Sequence, residues 1–383
     1  MTEVPLHARI CPDWRGGNPY QQLLADSVER SGGRVSFASD YRRGLPFWRD
    51  WRACDPRPDV LHLHWLSNHV RFEDYPRKWL YARKLAFDLG LVRRAGGGVV
   101  WTVHNAISHE ARFPALETSL HRRVARRADR VIVHSESALA EVGHSHGLDP
   151  AKTRVIPHGH YRSVYPGPVE RAEARRALGL ESARRVYLFL GLLRPYKGLE
   201  ELFAAWRAVQ DKPEMAETWL VIAGKAIDPD YGQKIGAAAT GLKRVRADVG
   251  FVPENRLPVY FGAADAVVLP FQRILTSGSL LLAMSYGVPV VAPHLPLVTE
   301  VLGDAARFAY PPDTGGALAE ALREVAEADL TSVRAATVRR TDAFGWDAIG
   351  RRTLEVYEEA AAAGRKRRRS AATRSAPAKP RRR

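Results

Sequence analysis

The sequence predicts an α/β protein of two parallel-sheet domains closed by a C-terminal helix, on three observations. Short apolar runs alternate with longer amphipathic stretches along the whole chain, the pattern of stacked βαβ units. At 383 residues the chain exceeds what one hydrophobic core ordinarily organises. A Pro- and Gly-rich stretch at residues 161–171 breaks both patterns and marks a hinge. The expected division is an N-terminal domain over residues 1–165, a C-terminal domain over 172–343, a closing helix over 344–363 and a disordered basic tail over 364–383.

The elements follow in order. In the first half strands are expected at 8–11, 34–37, 60–64, 99–104, 130–134 and 153–156, with amphipathic helices such as 20–31 and 76–94 between them. In the second half they are expected at 186–190, 219–223, 248–251, 266–269 and 289–292. Composition is that of a globular protein, 45% hydrophobic and 26% charged. Cys11 and Cys54 lie far apart without metal-type spacing, which predicts a reduced, cytoplasmic setting. The first residues include an acid and no apolar run, unlike a secretory signal. No stretch reaches the ~20 apolar residues of a bilayer span, so the expectation is a soluble protein or one peripheral to the inner membrane face.

The net charge of +16 is unevenly placed, because residues 365–383 hold ten Lys or Arg and no acid. Without apolar periodicity that segment is expected to stay unfolded, either as a solvating tail or as a contact for anionic lipid or nucleic acid. Arg122, Arg123, Arg126 and Arg127 share one helical face. That face is a second candidate for an anionic membrane surface, and a plain solvated face is the alternative.

Parallel sheets bind ligands beyond the carboxyl ends of their strands, so the chemistry is sought there. In YLFLGLLRPYKGLEELFAAW a buried strand meets Gly191, and Arg194 and Lys197 then lie on the loop ahead of a helix. Two fixed cations before a helix N-terminus suit a diphosphate. In AADAVVLPFQRILTSGSLLLAMSYGVPVVAP, Ser277, Gly278 and Ser279 open a helix whose first N–H groups can meet an anion, although an ordinary N-cap would look the same. Gly16 and Gly17 follow the first strand and allow close backbone approach, or simply a tight turn.

The G-x-x-R-x-x-K-G loop and the helix followed by G-V-P-V-V-A resemble glycosyltransferase family 4 and its GT-B relatives. The resemblance implies two Rossmann-like domains facing across a cleft, with the C-terminal helix returning to the N-terminal domain. It implies that Arg194, Lys197, Ser277, Gly278, Ser279 and Gly17 hold the donor diphosphate, and that main-chain groups near Val252 and Pro253 read the nucleobase. The two glutamates of retaining members are replaced by Ile274 and Leu282. The T-S-G-S turn, N-P-Y-Q-x-L-L from Asn18, H-x-H-W at His62 and W-T-V-H-N at Trp101 are similar to a divergent group that includes bacterial β-mannosyltransferases using GDP-mannose.

The function so implied is transfer of a sugar, first of all from GDP-mannose, to a hydroxyl of a glycan, glycolipid or small molecule. Inversion is favoured over retention. An inverting reaction needs a base, for which His104 and Glu110 are the candidates, with Asp13 as an alternative. His104 has a structural reading and a sugar-binding reading beside that one. The nucleotide sugar is a substrate, so no cofactor is expected, and no metal either: His62 and His64 lack a third ligand, and Asp228 of D-P-D is read as a helix cap. Two other functions fit less of the chain, a nucleotide-sugar epimerase of the same fold and a nucleic-acid binder using the basic tail.

Overall fold

Parallel strands are covered on both faces and therefore need continuous apolar runs, and the VYLFL of residues 186–190 is such a run. The computed structural model describes residues 4–38, 44–70, 72–108 and 111–375. They form two compact units, Met1–His158 with Trp346–Arg383, and Gly159–Gly345, so the division falls ahead of the Pro- and Gly-rich stretch.

The first unit holds β1 (His7–Cys11), β2 (Arg34–Phe37), β3 (Val60–Leu63), β4 (Gly98–Thr102), β5 (Arg130–Val133) and β6 (Thr153–Val155). They lie in the order β2-β1-β3-β4-β5-β6, with every pairing parallel. The second unit holds β7 (Arg185–Leu190), β8 (Thr218–Gly224), β9 (Val245–Val249), β10 (Ala266–Val268), β11 (Val290–Pro293) and β12 (Ala309–Tyr310). Their order is β12-β11-β10-β7-β8-β9, again all parallel.

Chain order reverses beside the first strand of each sheet, at β1/β3 and at β7/β10. Ligands of such sheets bind at these switch points, outside the carboxyl ends of the strands. The loops carrying Gly16 and Gly17 after β1, Arg194 and Lys197 after β7, and Ser277 after β10 all leave from switch-point strands.

Two expectations are corrected, and one strand was not anticipated. The strand expected at 248–251 is β9, Val245–Val249, three residues earlier. As an edge strand it alternates V-R-A-D-V instead of forming an apolar run. Its shift leaves Val252 and Pro253 in the loop beyond the strand end. β12 has only two residues and no legible pattern. The tail read as disordered from residue 364 is helical as far as Ser375, in one helix Trp346–Ser375. Tertiary partners hold it, because Arg367 donates to Asp129 and to the Gly97 carbonyl.

That helix packs on the first unit at glycines. A Cβ on Gly98 would stand 2.6 Å from the backbone carbon and oxygen of Ala360, and one on Gly364 2.3 Å from the Gly96 carbonyl oxygen. Gly98→Ala is therefore expected to cost about 1–3 kcal/mol as overpacking, read as a lowered urea midpoint with an unchanged m-value.

Candidate functional site

In the second unit, β7 runs into Gly191 and then into a short 3-10 turn, Pro195–Lys197. Gly198 closes this turn at φ +74, a left-handed conformation that glycine adopts without strain, and opens the helix Leu199–Val209. The loop after β10 ends at Ser277, the N-cap of the helix Gly278–Ser285, whose hydroxyl accepts from Leu280 N–H at 3.1 Å. With that hydroxyl engaged as a cap, the amides of Gly278 and Ser279 are the donors the helix start can offer a ligand.

Two close approaches tie these loops together. A Cβ on Gly191 would lie 3.3 Å from Ser279 Oγ, and one on Gly198 2.0 Å from the Pro270 carbonyl oxygen. The cations of one loop are thus fixed in register with the helix start of the other. Lys197 Nζ stands 4.7 Å from the centre of the Phe271 ring. Burial, and after it the Arg194 guanidinium, pull the Lys197 ammonium down to about 8. No carboxylate among the described residues pairs with it. An unpaired, buried ammonium of this kind suits an anionic ligand.

The sign of the pH effect follows. Lys197 is charged below about pH 8 and loses its charge above, so its attraction for an anion weakens with rising pH. We expect kcat/KM to fall through a limb near pH 8 that Lys197→Arg abolishes, because guanidinium stays charged there.

Beyond the end of β9, Gly250, Phe251, Val252, Pro253, Arg256 and Tyr260 line a cavity of about 380 Å³. Phe251 is 74% exposed at its mouth, an aromatic face open to stacking. Asp248 Oδ2 accepts from Tyr260 Oη at 2.7 Å and from Arg246 Nε at 2.9 Å, which fixes one wall.

In the first unit the carboxyl ends of four neighbouring strands each deliver histidine: His62 and His64 at β3, His104 after β4, His134 after β5 and His158 after β6. All five are buried. The Tyr20 ring packs against His64, His104, His134 and His158, with centroid distances between 4.5 and 5.9 Å. His104 stacks on Trp65 at 4.3 Å, and its Nε2 is hydrogen-bonded to His64 Nδ1 at 2.8 Å. His62 uses both nitrogens, on Tyr357 Oη and Thr102 Oγ1, which leaves no lone pair for a metal.

Burial, reinforced by neighbouring imidazoles, holds His64 and His104 well below the ordinary histidine range and His62 at about 3. Burial lowers His134 to about 4. His62, His64, His104 and His134 are therefore neutral at physiological pH. His134 Nδ1 lies 2.9 Å from the Ile156 carbonyl, which can only accept, so the proton sits on Nδ1. Nε2 of His134 is then a bare lone pair, and neither it nor His64 Nε2 has a hydrogen-bond partner among the described residues. Two buried imidazole nitrogens are thus left without a hydrogen-bond partner by the described residues. The sequence reading passed over His134 and His158, although an apolar run ending in His recurs at four successive strands.

Of the remaining candidates, Glu110 lies outside the described residues. Asp13 is paired with Arg15 at 2.8 Å, and that hydrogen bond lowers its pKa. Gly17 has only the Trp14 carbonyl oxygen near its Cβ position, at 3.9 Å, so no protein packing requires glycine there. Asp228 caps the helix Pro229–Thr240, accepting from Asp230 N–H. Arg122 donates to the Ser145 carbonyl, and Arg127 Nη1 approaches the Arg123 carbonyl at 3.5 Å.

Comparison with known proteins follows the same division. Residues 184–328 match the family model described as "Glycosyl transferases group 1", and residues 8–160 match "Glycosyltransferase Family 4". The chain is 31% identical over 313 residues to GDP-mannose:glycolipid 4-beta-D-mannosyltransferase of Xanthomonas campestris pv. campestris, covering 79% of this chain and 80% of that one. It is 29% identical over 329 residues to D-inositol 3-phosphate glycosyltransferase of Kineococcus radiotolerans, covering 81% and 73%. The crystal structure of Anabaena HepE in complex with UDP and glucose superposes with a TM-score of 0.69 at 18% identity, over 92% of this chain and 99% of that one. At that identity the likeness speaks for the fold alone.

Proposed function

The chain belongs to the GT-B glycosyltransferases of the group 1 and family 4 type, and from that premise we propose that it transfers a mannosyl unit from GDP-mannose to an acceptor hydroxyl with inversion at the anomeric carbon. The observation that supports this reading is the close approach of two loops, one carrying Arg194 and Lys197 and the other a helix start. The loop bearing Arg194 and Lys197 approaches the loop and helix start bearing Gly278 and Ser279 at two points, Gly191 beside Ser279 and Gly198 beside Pro270. In the proposed reaction the acceptor oxygen bonds to C1 of mannose as the bond from C1 to the phosphate oxygen breaks. The acceptor proton passes to a base, and GDP leaves. Two cations and a helix start offset the charge that grows on the diphosphate, so the step needs no metal.

His104 and His134 are the proposed contacts for the sugar and the attacking hydroxyl, His134 through its bare Nε2. Where retaining relatives carry glutamates, Ile274 and Leu282 offer no side-chain acceptor, which supports inversion. The X. campestris relative is named for β-mannosyl transfer, and that name supports the choice of donor and outcome.

The test is the product of GDP-mannose and a glycolipid acceptor, read by NMR at the new anomeric carbon. A β-linked mannoside is expected, whereas an α-linked one refutes inversion. Consumption of GDP-mannose without any acceptor, yielding an isomerised sugar nucleotide, would replace transfer by epimerisation. His104→Ala and His134→Ala are each expected to lower kcat by about 10²-fold or more, with GDP binding retained, because the diphosphate contacts lie in the other unit.

A further inference from the structure

Among the described residues eleven large apolar side chains are exposed, and four of them stand on one helix, Tyr75–Arg94: Tyr75 at 51%, Trp79 at 40%, Leu80 at 55% and Phe87 at 53%. At about 100° per residue, Trp79, Leu80, Arg83, Lys84, Phe87 and Arg94 fall on one strip. The inner face is fully engaged. Leu85, Leu89 and Val92 are buried, and Asp88 accepts from the Phe47 and Trp48 amides. Lys78 pairs with Glu117 at 2.5 Å in a buried contact.

The outer strip contains cations and apolar groups but no carboxylate. Asp88 is the helix's own acid and faces inward, while Asp74 caps the N-terminus and accepts from the Arg77 amide. The Arg83 guanidinium lies 4.7 Å above the Trp79 ring, so the charged and apolar parts of the strip form one surface.

We propose that this strip is a docking face for an anionic phospholipid bilayer. Trp, Leu and Phe interleaved with Lys and Arg, without acids, is the composition of a helix lying in a membrane interface. The chain's net charge of +16 favours a negative surface and opposes a second copy of the same chain in that place. Nucleic acid would satisfy the cations but gives Leu80 and Phe87 nothing to bury them.

This location replaces the two the sequence suggested. The helix Pro114–Arg127 presents no exposed large apolar side chain, and its Arg122 is tied to Ser145. In the C-terminal helix, Arg367 is turned onto Asp129. The inner face of the same helix, opposite the strip, reaches the site's surroundings through Lys78. Glu117, whose Oε1 holds Lys78, accepts the Ser108 amide through Oε2, and Ser108 shares a small cavity with His104 and Trp65.

The experiment is flotation of the full chain with vesicles of equal phosphatidylglycerol and phosphatidylcholine, against phosphatidylcholine alone, at about 0.1 M salt. Binding to the anionic vesicles only is expected. Arg83→Gln/Lys84→Gln should weaken it about twentyfold, at roughly fivefold per cation. Leu80→Glu/Phe87→Glu should abolish it, and Arg122→Gln/Arg126→Gln should leave it within about twofold. All six positions are on the surface, so melting temperatures should match the wild type. The proposal is overturned if the wild type ignores anionic vesicles, or if the Leu80/Phe87 variant binds them as the wild type does. It is equally overturned if a single-stranded oligonucleotide binds through the same residues and vesicles do not, or if those residues prove to mediate dimerisation in sedimentation.

Discussion

Arg194→Ala/Lys197→Ala is expected to reduce sugar transfer by about 10³-fold or more while leaving the folded state intact. In the proposed reaction each cation faces charge that grows as the diphosphate departs, and loss of one such stabiliser typically lowers kcat by about 10²–10³. The two act on one leaving group, so their effects will not simply multiply. Lys197 makes the structural half of the prediction specific. Its ammonium is pulled down to about 8 by burial and by Arg194, and no carboxylate among the described residues offsets it. Without ligand it opposes folding slightly, so removing it should leave the melting temperature unchanged or higher. A variant that loses transfer by unfolding would contradict the assignment as surely as one that keeps normal turnover.

Gly198→Ala should lower kcat/KM by about 10²-fold without touching any ligand-contacting side chain. The residue holds φ +74, and its Cβ would stand 2.0 Å from the Pro270 carbonyl oxygen. Neither strain is relieved by a rotamer, because one side of the clash is backbone. The loop bearing Arg194 and Lys197 must move off the loop leading to Gly278, and the cradle opens. Misplacing a charge-stabilising group by about 1 Å is enough for a loss of that size. Steady-state kinetics with far-UV circular dichroism checks the outcome. Wild-type kinetics in a folded Gly198→Ala protein would show that the contact does not set the cradle.

The residues of the proposed cradle stand out in the sequence because they are local. Gly191, Arg194, Lys197 and Gly198 follow one strand within eight residues, and Ser277, Gly278 and Ser279 follow another. The parallel strands were legible for a similar reason, since burial on both faces leaves apolar runs that end in polar loops. Edge strands escaped this logic, so β9 was shifted and β12 went unread. The histidine cluster was only half legible. His104 drew attention through its motif, but His134 gains meaning from the Ile156 carbonyl, the Tyr20 ring and its neighbours across the sheet. The C-terminal segment was misread because composition cannot reveal that Asp129 and the Gly97 carbonyl await Arg367.

The most direct test of the central claim is thermal stabilisation by GDP, UDP and dTDP of the wild type and of Arg194→Ala/Lys197→Ala. A ligand bound only to the native state contributes about 2.7 kcal/mol at a hundredfold excess over its Kd, which raises the melting temperature by several degrees. The account predicts a rise with GDP in the wild type and little or none in the double variant. No response to any nucleotide, or an equal rise in both proteins, would contradict it.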